Sequence, residues 1–85
     1  ADALNYLAYL WANQGIRLSE ALRHIQAALA LDPENAAYLD TLGWVYYQQG
    51  RYTEALDLLE QADRLRPGDS EILDHIQKTR DKLAP

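Results

Sequence analysis

Cysteine is absent from the 85 residues, which excludes a disulfide framework and any thiolate metal site. Methionine is absent as well, and without an initiator Met the chain reads as a piece of a longer protein. Four Gly and three Pro are too few for a loop-rich or collagen-like chain. No apolar stretch approaches the ~20 residues of a membrane span, and no signal-peptide pattern opens the chain. Positive charge is scarce: eight Lys plus Arg stand against thirteen Asp plus Glu, for a net charge of -5. That balance argues against a general nucleic-acid binder. What is present is a sequence 48% hydrophobic and 25% charged, a composition of folded rather than disordered chains. The length suits one small domain, which buries only about 60–65% of its unfolded surface.

Self-comparison reveals an internal repeat. Ala21-Leu22 through Asp32-Pro33 aligns with Ala55-Leu56 through Arg66-Pro67 at an offset of 34. The aligned pairs include Ser19/Thr53, Glu20/Glu54, Ile25/Leu59, Ala28/Ala62 and Leu31/Leu65. Upstream, Leu4, Leu7, Ala8, Trp11 and Gly15 meet Leu39, Leu42, Gly43, Tyr46 and Gly50 at an offset of 35. One extra residue therefore sits in Gly15-Ile16-Arg17-Leu18 relative to Gly50-Arg51-Tyr52. A third, partial copy follows Pro67, with Ser70, Leu73 and Ile76 matching Ala36, Leu39 and Leu42.

Each copy reads as two helices. Leu39, Leu42, Gly43 and Tyr46 fall at i, i+3, i+4 and i+7, one amphipathic stripe, and Ala55, Leu56, Leu59, Ala62 and Leu65 form the next. Gly50 stops the first helix, since glycine accepts the left-handed conformation that ends one. Ser19 and Thr53 are the expected N-caps of the second helices, while Asn35 and Asp69 cap those that follow the Pro breaks. The spacing predicts helices over 2–14, 19–31, 36–49, 53–66 and 70–83.

Leu39-x-x-Leu42-Gly43-x-x-Tyr46, followed by Gly50-x-Tyr52, Ala55, Leu59, Ala62 and Pro67, resembles the tetratricopeptide repeat. The first copy departs in having Ala8 for Gly, Trp11 for Tyr and the inserted loop residue. The resemblance covers essentially the whole chain. It implies an all-α, right-handed superhelix of stacked antiparallel helix pairs. Repeat one then spans 1–35, repeat two 36–69, and a capping helix 70–85. Gln77 and Arg80 replace the small and aromatic residues of that last helix, leaving Ile72, Leu73, Ile76 and Leu83 as its apolar face. Lys78, Asp81 and Lys82 can face water, as a terminal cap requires.

The resemblance also implies a concave face lined by the first helix of each pair. Asn5, Tyr9, Ala12 and Asn13 would stand there, with Asp40, Trp44, Tyr47 and Gln48 beside them and Asp74 and Lys78 on the cap. Trp44 and Tyr47 are not needed for the core stripe, so they are expected to stand in the groove and offer contact area to a peptide. Asp40 and Asp74 add a negative field that favours neutral or basic protein partners. Some members of the family clamp an acidic C-terminal tail with Lys and Asn in the first helix, Asn in the next, and Lys with Arg in the third. That set is missing, because the matching stations hold Asn5 with Tyr9, Asp40 with Trp44, and Asp74 with Lys78. Ala3, Tyr6 and Leu10 lie where a preceding repeat would pack, and are candidates for self-association into a homodimer.

No catalytic, cofactor or metal motif is found. HExxH, GxSxG, Walker and dinucleotide-binding glycine patterns are lacking, and no nucleophile and base pair off, so the chain does not read as an enzyme. His24 and His75 have no metal-ligand partner at i+3 or i+4 and read as surface residues. Asp40 and Asp74 read as solvated groove charges rather than as a cation pair.

Overall fold

A computed structural model describes residues 2–85, with side chains from Asn5 onward. The elements are α1 (Asp2–Gln14), α2 (Leu18–Leu31), α3 (Ala36–Gln48), α4 (Tyr52–Leu65) and α5 (Ser70–Leu83). Every described element is a helix, so the protein is all-α, a helical repeat of paired helices. The expected boundaries hold to within one residue.

The helix ends have local causes. Gly15 (φ 68°) and Gly50 (φ 80°) turn left-handed after α1 and α3. The amide of Arg51 donates to Tyr46 O at 2.9 Å and that of Gly50 to Tyr47 O at 3.0 Å, satisfying carbonyls the helix leaves open. Ile16 and Gly15 repeat the pattern onto Trp11 O and Ala12 O. Asn35 accepts from the Tyr38 amide and Asp69 from those of Glu71 and Ile72, as expected of N-caps. The other two expectations fail. Ser19 and Thr53 lie inside their helices, and the N-cap positions belong to Arg17 and Arg51, which make no side-chain cap bond. The reason is economy of chain: the Gly50 turn runs straight into α4, so the Arg51 carbonyl already accepts from the Ala55 amide at 2.9 Å. In the first copy the extra residue is absorbed by Arg17, which adopts φ 49°, ψ 40°.

Two apolar clusters share α3. Ala8, Ala12, Ala21, Ile25 and Ala28 of α1 and α2 pack on Tyr38, Leu42, Trp44 and Val45. Ala36 and Leu39 pack on Leu59 and Ala62 of α4 and on Ile72 and Ile76 of α5. Small residues let the backbones approach. A Cβ on Gly43 would lie 2.8 Å from Leu59 Cγ and 3.2 Å from the Ala55 carbonyl oxygen. The apolar stripes are narrower than predicted. Leu65 and Leu73 are 45% and 46% exposed and Leu83 is exposed as well, so α5 is held by Ile72 and Ile76 together with buried His75 and Thr79. The Thr79 hydroxyl donates to the His75 carbonyl at 2.7 Å, which satisfies it without a partner from another helix.

Candidate functional site

α3 touches all four other helices, whereas the backbones of α1 and α5 stay apart among the described residues, and only side chains meet between them. The gap between α1 and α5 is a hollow of about 530 Å³ floored by α3. Its lining includes Asn5, Tyr6 and Tyr9 from α1, Asp40 and Thr41 from α3, and Glu71 at the start of α5. Arg66 and Asp69 stand at its edge, 3.8 Å apart as an ion pair.

The hollow gathers only part of the predicted set. Asn5 and Tyr9 are half-buried in its wall, and the Asn5 Oδ1 is buried without a hydrogen-bond partner. Asn13, Gln48, Asp74 and Lys78 lie outside it. Asn13 is exposed, Gln48 is half-buried, and Asp74 pairs with Lys78 at 3.0 Å in water. Ala12 belongs to the core rather than to a concave face. Tyr6 is 64% exposed at the rim and Leu10 is half-buried. Ala3 falls outside the residues whose side chains are described.

Three expectations are corrected. Trp44 does not stand free in a groove: it is 6% exposed and sandwiched between two rings. Tyr47 stacks on one face at 4.2 Å between centroids, His75 on the other at 4.0 Å, and Lys78 Nζ lies 5.9 Å from the ring centroid. Its Nε1 is buried with no acceptor. Asp40 is not a solvated charge. It is 4% exposed, and its Oδ1 lies 2.7 Å from His75 Nδ1, a buried hydrogen bond between helices 35 residues apart in sequence. His75, likewise 4% exposed, is therefore a buried residue rather than a surface one. His24 is half-buried and stacks on Trp11 at 5.4 Å. All three corrections share one cause: Asp40 and Trp44 of α3 meet His75 of α5, so the contact that covers the nominally open face of α3 buries the imidazole as well.

Glu71 was the residue that sequence reasoning missed. Looking forward from His75 finds no ligand, but Glu71 lies one turn before it, at i and i+4 on the same face of α5. In the fold, ligating atoms of Asp40, Glu71 and His75 all lie within 4.8 Å of one another. Tyr9 faces the same group. Its phenol is raised above the ordinary value of 10.0, first by burial and then by the Glu71 carboxylate beside it, with a smaller effect from Asp40. The site as a whole is thus rich in acceptors, with negative charge from Asp40 and Glu71 at its centre.

A family model described as Tetratricopeptide repeat matches residues 17–70. The chain is also 40% identical, over 76 residues, to a TPR repeat-containing protein of Pseudomonas aeruginosa. That match covers 89% of this chain, which spans 13% of the length of the relative.

Proposed function

Since the chain belongs to the tetratricopeptide repeat family, whose members generally act as non-catalytic scaffolds for protein–protein interaction, we propose that it holds a peptide segment of a partner in the hollow between α1 and α5. The observation that carries this reading is the lining. Tyr6 and Tyr9 present aromatic faces at the rim and wall, and Asn5, Asp40 and Glu71 present acceptors beside them. Aromatic rings supply contact area at little entropic cost, and the acceptors select a neutral or basic segment. Arg66 is the only Lys or Arg in the lining, and Asp69 lies beside it. The role is binding without catalysis. No helix among the described residues is long and apolar enough to cross a membrane.

The test is a screen of short peptides read by NMR shift changes, followed by titration of the best binder. Tyr6→Ala and Tyr9→Ala should each weaken binding by about 1 kcal/mol or more. Asn13→Ala, outside the hollow, should leave affinity unchanged. Shift changes confined to α2 and α4 would defeat the assignment.

Self-association is the second reading, favoured by the exposure of both Tyr6 and Leu7 on α1. Exposed apolar side chains of this kind can pair with their own copy across a two-fold axis. Sedimentation checks it: a dimer that Tyr6→Lys dissociates supports the idea, and a monomer at every concentration removes it.

A further inference from the structure

The Asp40, Glu71 and His75 cluster has a property that peptide binding does not use. Two carboxylates and an imidazole, two of the three residues buried, bring their ligating atoms within 4.8 Å of one another. We propose that this cluster, where α3 meets α5 beside the hollow, is a binding site for a single divalent transition-metal ion such as zinc.

The donor set favours that class of ion. One imidazole with carboxylate oxygens suits zinc, cobalt or nickel, whereas calcium and magnesium prefer oxygen alone. The geometry is near what such an ion needs. Ligands about 2.0–2.2 Å from a tetrahedral zinc lie roughly 3.3–3.6 Å apart, so atoms that now lie within 4.8 Å of one another must draw together by about an ångström. Glu71 is exposed at the first turn of α5 and can make that movement without disturbing the core.

An ion would take the place of the Asp40–His75 hydrogen bond and of the Tyr9 phenol beside Glu71, and no described Lys or Arg competes for the two carboxylates. Among the described residues, the ion pairs of Arg51, Arg66, Arg80 and Lys78 go to Glu54, Asp69, Glu60 and Asp74, and none reaches Asp40 or Glu71. The Asn5 Oδ1, buried and without a partner, lines the same hollow and is a candidate further oxygen ligand, directly or through water. The residues come from α1, α3 and α5, so the ion would join the two walls to the floor.

Cobalt(II) serves as the probe, because its visible absorption reports nitrogen and oxygen ligation directly. Titration of this chain should show saturable absorption at one equivalent. Tryptophan fluorescence should fall in parallel by the share that Trp44 contributes beside Trp11, since the Trp44 ring lies against His75. Glu71→Gln, a change at an exposed side chain that leaves the core intact, should weaken binding at least ~10-fold. His75→Ala should abolish the signal; because that side chain is buried, its far-ultraviolet circular dichroism is checked alongside, and Glu71→Gln decides the matter if the variant unfolds. His24→Ala should change nothing. The proposal is overturned by the absence of saturable absorption at millimolar cobalt, by equal affinity in Glu71→Gln, or by loss of the signal in His24→Ala. Peptide binding measured in chelator separates the two readings, since failure there touches the groove and not the ion site.

Discussion

Gly43 is where α3 comes nearest to α4, and its hydrogen is what allows the approach. An alanine there would press its methyl group on Leu59, a fully buried side chain, and on the Ala55 carbonyl, which is helix backbone and cannot swing away. Alanine also favours the helix over glycine by about 1 kcal/mol, which offsets part of the clash. Overpacking of this kind costs about 1–3 kcal/mol, and the backbone contact puts Gly43 toward the upper end. Gly43→Ala is therefore expected to lower stability by about 1–2 kcal/mol net, measured as the midpoint of urea unfolding. An unchanged midpoint would mean that the helices can separate freely at this crossing. Arg51 shows the opposite economy, one side chain with several partners. It stacks on Tyr46 at 4.2 Å and binds Glu54 through both carboxylate oxygens. The hydrogen bonds from Arg51 hold the Glu54 carboxyl below the ordinary glutamate range, and the pair is exposed enough that it orders the start of α4 more than it stabilises the fold.

Among the helices, the turns show which local signals act as their residue types suggest. Asn35 accepts from the Tyr38 amide at 3.1 Å and also donates to Asp32 at 3.0 Å, closing the break between α2 and α3. Asn35→Ala should cost about 1 kcal/mol. Thr53 is of an equally good capping type, yet it sits one residue inside α4, so Thr53→Ala should fall within about 0.5 kcal/mol of the parent. Thermal unfolding of the two variants side by side checks this contrast; equal losses would show that α4 begins at Thr53 after all. Capping type was legible in the chain, but which residue supplies the cap depends on how many residues the preceding turn consumes.

Taken whole, the protein is a pair of helical walls on a shared central helix, and the burial of Tyr9 in the gap, with the Glu71 charge beside it, is expected to make stability depend on alkaline pH. Tyr9 is on α1 and Glu71 on α5, so their proximity spans the hollow. The folded state raises the Tyr9 phenol above the ordinary value of 10.0. An acid whose folded value is raised keeps its proton longer when folded than when unfolded. Its contribution to stability is complete below the unfolded value of 10.0 and is lost as pH rises through the raised folded value. Stability is therefore expected to fall above about pH 10, and Tyr9→Phe, which has no proton to lose, should flatten that fall. Urea midpoints measured across the alkaline range decide it: an identical slope in the variant would place the sensitivity elsewhere.

Periodicity along the chain was enough for five helices, their near-exact limits and the small residues at the crossings, while the resemblance to the family rested on its motif residues. These follow from spacing and from local chemistry, which operate over a few residues and act alike in any copy of the repeat. The site was less legible. Asn5, Tyr9 and Asp40 were expected on the concave side and do line the hollow, but Trp44 went into the interior and Glu71 went unnoticed. The Asp40–His75 bond joins residues 35 positions apart, and no local pattern announces it. A stripe on one helix says which side chains share a face. Whether that face meets water or another helix depends on the neighbours, and here the imidazole of α5 reaches α3 closely enough to bury an acid and an indole on the side that a helix taken alone would leave open.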